Sequence, residues 1–362
     1  MTISTTIGDL KLALQCVLKA VDTKQITAEF RDGKLMIHGC ANQGHAKAVV
    51  PTRGDLPDMV FPITGKLVLT IINNCDSASE CTISQHKDGL RLKFGGASIK
   101  LTRYTEKEVD FFNWTSTDDE TRFVGSFESQ EFKQALSSVV KFFSSDGSRF
   151  QLRGIYFQSI EGQLVLAATN GMRLAEKITN IVVEDFAPMI ISGEYIEALV
   201  GIIKGNENVE FSIVGGKEVT AVIFNTSNFS MKCPLIGGAY PAYRSVIPLT
   251  DHSVTVNAAS LLAALTRMEA VSEKRFVKLQ FEEGAMSVLT LDGESSECID
   301  AEGDDFSLSL SIQSQLLNAA LTSAVTEKVK VSVTLDKGVN SFVTVTNTRD
   351  DGWLSLITPA RV

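Results

Sequence analysis

The sequence lacks any long uninterrupted apolar run, although 44% of its 362 residues are hydrophobic. A membrane-spanning helix needs about 18 or more consecutive apolar residues, so none is predicted. The first ten residues, MTISTTIGDL, contain neither a basic cluster nor an apolar stretch, so they do not resemble a secretion signal. We therefore expect a cytoplasmic protein.

Histidine and cysteine are sparse and scattered. The four histidines and six cysteines include no CxxC pair and no His partner at ligand spacing. A protein-bound metal needs several ligands that converge on one point, and this distribution offers no such set. We expect no metal and no other cofactor, and we interpret the cysteines as reduced thiols.

Common catalytic motifs are also missing. The sequence contains no GxSxG or HExxH, and GGKEVT, which begins at Gly215, lacks the spacing and the hydroxyl residue of a phosphate-binding loop. We therefore expect no enzymatic activity.

The formal net charge of −9 argues against a protein that coats nucleic acid with its whole surface. Acidic residues cluster in blocks such as residues 292–305, and several basic residues lie instead on predicted helices. A basic surface restricted to one side of the molecule remains compatible with this composition.

Three predicted helices share an Ala-Leu pair in the same position and indicate an internal repeat. Their apolar residues recur every three or four positions, which is typical of a helix with one buried face. These helices are DLKLALQCVLKAV from Asp9, EFKQALSSVVKFF from Glu131 and SLLAALTRMEAVS from Ser260. A second helix follows each of them, in ITGKLVLTIINN from Ile63, ISGEYIEALVGIIKG from Ile191 and LSIQSQLLNAALTSAV from Leu310.

The segments between these helices alternate apolar and polar residues, as strands do. The pattern predicts an α+β fold with three copies of a unit that has two helices and roughly eight strands, at residues 1–121, 122–249 and 250–362. Two chains joined edge to edge would form a closed ring of six units. Basic residues on the helices would then face the hole, although solvated helix faces are the simpler alternative.

The middle unit carries motifs of a known family. LAATNGMRLA (residues 166–175) contains an Asn-Gly hairpin signal. With SRFQLRGIYF from Ser148, it resembles the R-x-x-L-x-G-x-x-F and L-x-x-V-A-T-D-G-x-R-L-A motifs of the bacterial DNA sliding clamp, the beta subunit of DNA polymerase III. AYPAYRSVIP from Ala239 is similar to the family's F-P-x-Y-x-x-V-x-P, and the C-terminal TPARV is similar to its Met-Pro-Met-Arg-Leu.

This resemblance implies a DNA polymerase processivity factor, a homodimeric ring with helices lining the hole that slides on duplex DNA without reading its sequence. Replicative and repair polymerases and the clamp loader would bind through short linear motifs, in a pocket between the second and third units. The pocket residues implied by the resemblance are Leu152, Thr169, Gly171, Met172, Arg173, Leu174, Pro241, Val246, Val339, Phe342, Leu356, Ile357, Thr358, Pro359, Ala360, Arg361 and Val362.

Several pocket positions depart from the family pattern, which predicts an altered peptide preference. Met172 stands where the family has histidine, Asn170 where it has aspartate, Ser245 where arginine is common, Ser311 and Ser314 where asparagine and tyrosine are found, and Ala360 where it has methionine.

The resemblance also implies a DNA surface and a dimer seam. The expected DNA-facing residues are Lys11, Lys19, Lys24, Lys66, Lys133, Lys141, Arg149, Lys204 and Arg267. The expected dimer residues are Ile99, Leu101 and Arg103 from the first unit and Ala270, Val271, Glu294 and Glu297 from the third. A non-ring structural or interaction protein built from three β-rich repeats is the alternative function.

Overall fold

A computed structural model describes residues 1–23, 25–41, 44–86, 89–103, 120–216, 218–272, 275–282, 284–334, 342–349 and 352–360. Across those ranges, no helix is long and apolar enough to cross a membrane. Four residues that the resemblance assigned to the DNA surface or the pocket lie outside the described residues. They are Lys24, Val339, Arg361 and Val362.

All six predicted helices are present. They are α1 (Ile7–Ala20), α2 (Gly65–Ile72), α3 (Ser129–Val139), α4 (Gly193–Ile202), α5 (Ala258–Val271) and α6 (Ser314–Leu321). The side chains of Thr6 and Asn257 cap α1 and α5 by accepting hydrogen bonds from Asp9 N and Ser260 N. Thr64 occupies the N-cap of α2, but its hydroxyl makes no capping hydrogen bond.

The strands alternate with these helices in the predicted order, with nine, eight and nine strands in the three repeats of the described chain. The first repeat contains β1 (Thr2–Thr6), β2 (Gln25–Arg31), β3 (Lys34–Ala41), β4 (Gly44–Val50), β5 (Arg53–Asp55), β6 (Met59–Thr64), β7 (Glu80–His86), β8 (Gly89–Phe94) and β9 (Ala97–Thr102). The second contains β10 (Thr121–Glu128), β11 (Gly154–Ile160), β12 (Gln163–Thr169), β13 (Arg173–Val182), β14 (Met189–Ser192), β15 (Asn208–Val214), β16 (Ala221–Asn225) and β17 (Phe229–Pro234). The third contains β18 (His252–Asn257), β19 (Phe276–Glu282), β20 (Ala285–Leu289), β21 (Ser296–Ile299), β22 (Ala301–Gly303), β23 (Leu308–Gln313), β24 (Lys328–Val333), β25 (Val343–Asn347) and β26 (Trp353–Ile357).

The chain forms two compact units. Unit 1 consists of Met1–Gln130 and Glu197–Leu235, and unit 2 consists of Glu131–Ile196 and Ile236–Val362. Unit 1 contains the sheets β5-β1-β7-β8-β9 and β10-β15-β16-β17-β4-β3-β2-β6. Unit 2 contains the sheets β14-β11-β12-β13-β26-β25-β24-β18-β22 and β21-β20-β19-β23. Each unit therefore combines strands of the middle repeat with strands of one outer repeat, and a division into three domains at 121 and 249 stays a prediction.

The same kind of strand pair joins neighbouring repeats in both units. In unit 1, β17 pairs antiparallel with β4, so the last strand of the second repeat meets the fourth strand of the first. In unit 2, β26 pairs antiparallel with β13, so the last strand of the third repeat meets the fourth strand of the second. The repeats are thus joined through continuous main-chain hydrogen bonding.

Helix α1 shows how the repeat buries its apolar face. Leu10, Leu14 and Val17 recur at intervals of three and four and are buried together. Gly39 of β3 lies under this helix, where an added Cβ would come within 2.7 Å of Val17 Cγ1. The glycine therefore permits close packing of helix on sheet, in which each fully buried leucine or valine contributes about 1.5–3 kcal/mol.

His45 on β4 is a buried titratable group at the β17–β4 junction, where it is paired with Lys232 in the ladder. Its Nε2 atom lies 3.7 Å from Cys40 Sγ. Burial, with a smaller contribution from the nearby Lys232 charge, lowers the pKa of His45 to about 4. The imidazole is therefore neutral in the folded chain at neutral pH.

We predict that acid destabilises the folded chain through His45. An unfolded histidine binds a proton near pH 6.5, whereas folded His45 does so only near pH 4. The free energy of unfolding should therefore fall as the pH drops from about 6.5 towards 4. Thermal unfolding followed by circular dichroism should show a weaker pH dependence for His45→Gln in this window, whereas His252→Gln, a matched control on β18, should retain it. Equal pH dependence in wild type and His45→Gln would contradict the prediction.

Candidate functional site

The hairpin between β12 and β13 is held by its own side chains. Asn170 Oδ1 accepts hydrogen bonds from the backbone N–H groups of Met172 and Arg173, both at 2.9 Å. Thr169 Oγ1 donates to the carbonyl of Arg173 and accepts from Gly171 N. Gly171 has a φ of +90°, a conformation that favours glycine. The Asn-Gly signal thus folds into a tight turn whose tip presents Met172.

Arg173 holds the base of this hairpin against Lys141 and Phe142. Its guanidinium donates to the carbonyl oxygen of Lys141 and lies 5.5 Å from the centre of the Phe142 ring. Burial lowers the pKa of Arg173. Because the guanidinium is held against a carbonyl and an aromatic face, Arg173 supports the base of the hairpin.

The C-terminal tail crosses the end of the hairpin. Strand β26 pairs with β13, so that Leu356 lies beside Leu174. Beyond the strand, Thr358 N donates to the carbonyl of Met172 at 2.9 Å, and Ala360 N donates to the carbonyl of Ser311 at 2.7 Å. The tail therefore ties the hairpin of the second repeat to β23 of the third.

An apolar cluster lies beside the hairpin and the tail. Ala167, Leu174, Tyr243 and Leu356 are buried together. The half-buried residues Tyr156, Tyr240, Ile247, Phe342 and Leu354 pack against them. Tyrosine rings dominate one side, since Tyr156 and Tyr240 stack with centroids 4.6 Å apart and Tyr243 meets both edge-on. This aromatic cluster brings the segment 240–247 onto the sheet.

Three large apolar side chains remain exposed around this cluster. Met172 at the hairpin tip and Val246 are each 50% exposed, and Phe150 is 55% exposed. Phe150 lies against Gly238, because an added Cβ there would approach its ring within 3.4 Å. Such exposure of several large apolar groups is typical of a binding surface. We refer to the hairpin, the tail, segment 240–247 and these three residues as the candidate pocket.

The structure brings most of the predicted pocket residues together in unit 2, with three qualifications. Ile357 is fully buried and alternates with Leu356 along β26, so it supports the pocket from the opposite face of the sheet. Leu152 is buried beneath the surface. The buried Ser314 hydroxyl donates to the carbonyl of Arg275 and does not line the pocket.

Phe150, the tyrosine cluster and the buried carboxylate Glu176 were not predicted from the sequence. The resemblance assigned Arg149 to the DNA surface, and its guanidinium lies at the hairpin, 2.7 Å from where a Gly171 Cβ would stand. The exposed Phe150 follows Arg149 directly in the chain, but exposure cannot be read from residue type alone.

The six helices carry equal numbers of basic and acidic residues, and the prediction that the basic ones face a hole stays a prediction. Their charged residues are five basic, Lys11, Lys19, Lys66, Lys133 and Arg267, and five acidic, Asp9, Glu131, Glu194, Glu197 and Glu269. A surplus of positive charge is found only on α1 and α2, where three lysines oppose one aspartate.

Most of the predicted DNA-facing residues have contacts within the chain. Lys11 donates to the carbonyl of Asn73, and Lys66 lies 3.4 Å from the Asp22 carboxylate. Lys141 donates to the carbonyl of Thr322. Lys19 packs on α4, since a Cβ at Gly201 would collide with its ammonium group. Lys204, just beyond α4, is exposed.

The predicted dimer residues lie on two sheet edges. β9 ends the five-stranded sheet of unit 1, with Ile99 half-buried, Leu101 buried and Arg103 exposed just beyond it. β21 ends the four-stranded sheet of unit 2 and packs beside α5. Ala270 and Val271 are exposed at the end of α5.

Among the predicted dimer residues of the third repeat, Glu297 forms an ion pair that was not predicted from the sequence. Arg267 Nε donates to Glu297 Oε2 at 2.8 Å within one chain. The resemblance assigned Arg267 to the DNA surface and Glu297 to the dimer seam, and both assignments stay predictions. Glu294 remains exposed.

No cluster of three or more potential metal ligands occurs among the residues whose positions are described. The candidate pocket presents apolar and aromatic groups at its surface, and its polar side chains bond within the hairpin and segment 240–247. Its chemistry therefore suits the recognition of an apolar peptide segment.

Comparison with known proteins supports a specific fold family. The family model of the DNA polymerase III beta subunit, central domain, matches residues 126–242. The beta sliding clamp of Borreliella burgdorferi is 24% identical over 194 residues, which cover 53% of this chain and 49% of that relative. The beta sliding clamp of Streptococcus pneumoniae serotype 4 is 27% identical over 248 residues, covering 65% and 63%. The chain therefore spans about half the length of the first relative and less than two thirds of the second.

Solved structures extend the similarity to the whole chain. The Thermotoga maritima DNA polymerase III beta subunit has a TM-score of 0.87 at 18% identity and covers 100% of this chain and 99% of its own. A Pseudomonas aeruginosa DNA polymerase sliding clamp has a TM-score of 0.86 at 19% identity and covers all of both chains.

The protein therefore has the α+β fold of the sliding clamps, which confirms the predicted fold class. The resemblance to the bacterial DNA sliding clamp, the beta subunit of DNA polymerase III, is also confirmed.

Proposed function

We propose that this protein is a DNA polymerase processivity factor, a homodimeric ring that encircles duplex DNA and tethers polymerases through the candidate pocket. The observation that carries this proposal is the pocket itself. Its hairpin and tail are tied by the hydrogen bond from Thr358 N to Met172 O, and exposed apolar groups surround an aromatic cluster. A pocket of this kind accepts the hydrophobic anchors of a short linear motif.

The repeat geometry supports a closed dimer. Each junction between repeats pairs the last strand of one repeat with the fourth strand of the preceding repeat. The last strand of the first repeat, β9, and the fourth strand of the third, β21, are both edges among the described strands. A third junction of the same kind would join β9 of one chain to β21 of another. Two such junctions close a two-fold ring of six repeats and cover the exposed edges.

Charge complementarity would favour this junction. Arg91, Lys93 and Lys100 lie on β8 and β9, whereas Glu294 and Asp300 flank β21. Opposite charges across an interface increase the association rate and select the orientation. The Arg267–Glu297 pair lies beside β21 and would border the contact.

Contact with DNA would be weak and confined largely to the first repeat. The surplus lysines on α1 and α2 are few, so only a small number of phosphate charges would be neutralised. Topological enclosure, rather than affinity, would then keep the protein on DNA. Weak electrostatic contact is suited to sliding because it carries no sequence information.

The proposed activity is binding and not catalysis, and the alternative is a non-ring interaction protein with the same three repeats. The alternative would retain the three repeats without a basic hole or a peptide pocket, and it would not close into a ring. Oligomeric state therefore separates the two functions.

Peptide binding tests the pocket. We predict that Phe150→Ala combined with Met172→Ala lowers the affinity for the C-terminal peptide of the host's replicative polymerase at least tenfold, because two exposed apolar contacts are lost. Fluorescence anisotropy with a labelled peptide gives the dissociation constant. Val182→Ala and Leu249→Ala, exposed apolar residues of the same unit, provide the controls. Equal affinity of the double variant and the wild type would refute the assigned surface.

A further inference from the structure

Glu176 is a buried carboxylate behind the candidate pocket. It lies on β13 two residues after Leu174, between Ala167 of β12 and Leu354 of β26 in the sheet. Only 8% of the residue is exposed. Burying a carboxylate is costly unless charged or hydrogen-bonding groups compensate it. The surroundings of Glu176 therefore indicate which part of the protein depends on it.

Both partners of Glu176 belong to one short segment. Its Oε2 atom accepts hydrogen bonds from the Tyr243 hydroxyl and from Arg244 Nε, the latter at 2.7 Å. Gln158 Nε2 donates to the same Tyr243 oxygen at 3.0 Å. The Arg244 guanidinium also lies 5.9 Å from the centre of the Tyr243 ring. One carboxylate oxygen thus connects β13 to the start of the 3-10 helix Tyr243–Val246.

That 3-10 helix carries a wall of the candidate pocket. It follows Pro241 and ends at Val246, which is half-exposed beside the apolar cluster. Its own main-chain bonds are few: Tyr243 N donates to Pro241 O at 2.7 Å, Ser245 N to Ala242 O at 3.2 Å and Ile247 N to Arg244 O at 3.3 Å. Stacking of the tyrosines adds contact but leaves rotation of the segment possible. The bonds within the segment do not fix it to the sheet, whereas the two bonds to Glu176 link it to β13 in a defined direction.

We propose that Glu176 is a positioning residue for peptide recognition, which holds Pro241 and Val246 in place through Tyr243 and Arg244. Charge-assisted hydrogen bonds are short and directional, so they specify one orientation of the segment. A buried ion pair adds little to stability compared with apolar packing, but it can select one arrangement. The role of Glu176 in peptide affinity rests on the proposed function, whereas its role in holding the segment 243–247 in place does not.

A pair of substitutions separates positioning from stability. Glu176→Leu leaves Tyr243 and Arg244 without an acceptor, whereas Glu176→Gln retains a side-chain oxygen that can accept from Tyr243. We expect peptide affinity to fall about tenfold or more in Glu176→Leu and to be partly restored in Glu176→Gln. The thermal midpoint should fall in Glu176→Leu, because removing one partner leaves the buried Tyr243 hydroxyl and Arg244 without their acceptor, so affinities are compared at a temperature at which all variants remain folded. Glu194→Leu and Glu194→Gln, at the exposed Arg153–Glu194 pair, are the matched controls.

Hydrogen exchange supplies a readout that needs no peptide. Amide exchange of residues 243–247, followed by mass spectrometry, should be faster in Glu176→Leu than in wild type, with no change in the strands β12 and β26. Unchanged exchange in this segment would overturn the inference, even if peptide affinity falls. If the wild-type protein binds no peptide, the proposed function fails, and the exchange result alone decides the role of Glu176.

Discussion

Replacement of Val271 by glutamate is expected to convert the proposed dimer into a monomer. Val271 lies at the end of α5, a helix that packs beside the edge strand β21, and it is 62% exposed in the single chain. Pairing of β9 with β21 of a second chain would cover this residue. A carboxylate buried there without a partner costs several kcal/mol, so the dimer dissociation constant should rise at least a hundredfold.

The oligomeric state can be measured by sedimentation at micromolar concentration. Val325→Glu is the matched control, because Val325 is 61% exposed in the same unit but lies between α6 and β24, away from the β21 edge. The Val271→Glu monomer should also fail to stay on circular DNA after loading, whereas wild type should be retained on circles and lost from linear ends. A wild-type protein that sediments as a monomer would exclude the ring and favour the interaction-protein alternative.

Removal of Thr358–Val362 is expected to abolish peptide binding while the sheets remain folded. The truncation ends the chain after Ile357, so β26 keeps its pairing with β13 and β25. It removes the donors to Met172 O and Ser311 O, which tie the hairpin to β23. Without the tail, one wall of the pocket is missing and the hairpin tip loses a restraint. Anisotropy should detect no binding at peptide concentrations that saturate the wild type.

Single substitutions test whether the tail acts through its main chain. Ala360→Pro removes the N–H that donates to Ser311 O, whereas Ala360→Gly keeps it. We expect weaker peptide binding in the proline variant and near-normal binding in the glycine variant. Equal losses in both would show that the Ala360 side chain, rather than its hydrogen bond, matters for binding.

The elements of the fold were largely predictable because their causes are local. The apolar spacing of Leu10, Leu14 and Val17 and the Thr6 cap specify α1 without reference to distant residues. The Asn170–Gly171 turn is local in the same sense, since Asn170 bonds its own neighbours and glycine tolerates a positive φ. The repeat of two helices and eight or nine strands followed from such signals.

The contacts of charged side chains could not be read from the sequence. Arg267, assigned to DNA, and Glu297, assigned to the dimer seam, are paired with each other in the fold. The Arg149 guanidinium lies at the hairpin, and its assignment to DNA stays a prediction. Long charged side chains pair with groups on whichever elements pack nearby. The separation of two residues in the sequence does not reveal how far apart they lie in the fold. The equal numbers of basic and acidic residues on the six helices could be counted only after the structure had defined where each helix begins and ends.

The sequence by itself determined the helices, the alternating strands, the threefold repeat and the hairpin that presents Met172, because each depends on interactions among near neighbours in the chain. Only the tertiary structure decided which groups meet at the pocket. The Tyr243 hydroxyl, 67 residues away in the sequence, donates a hydrogen bond to Glu176. Ala360 N donates to the carbonyl of Ser311. Each contact joins two segments of one repeat that are far apart in the sequence, and the local residue pattern of either segment does not specify the other.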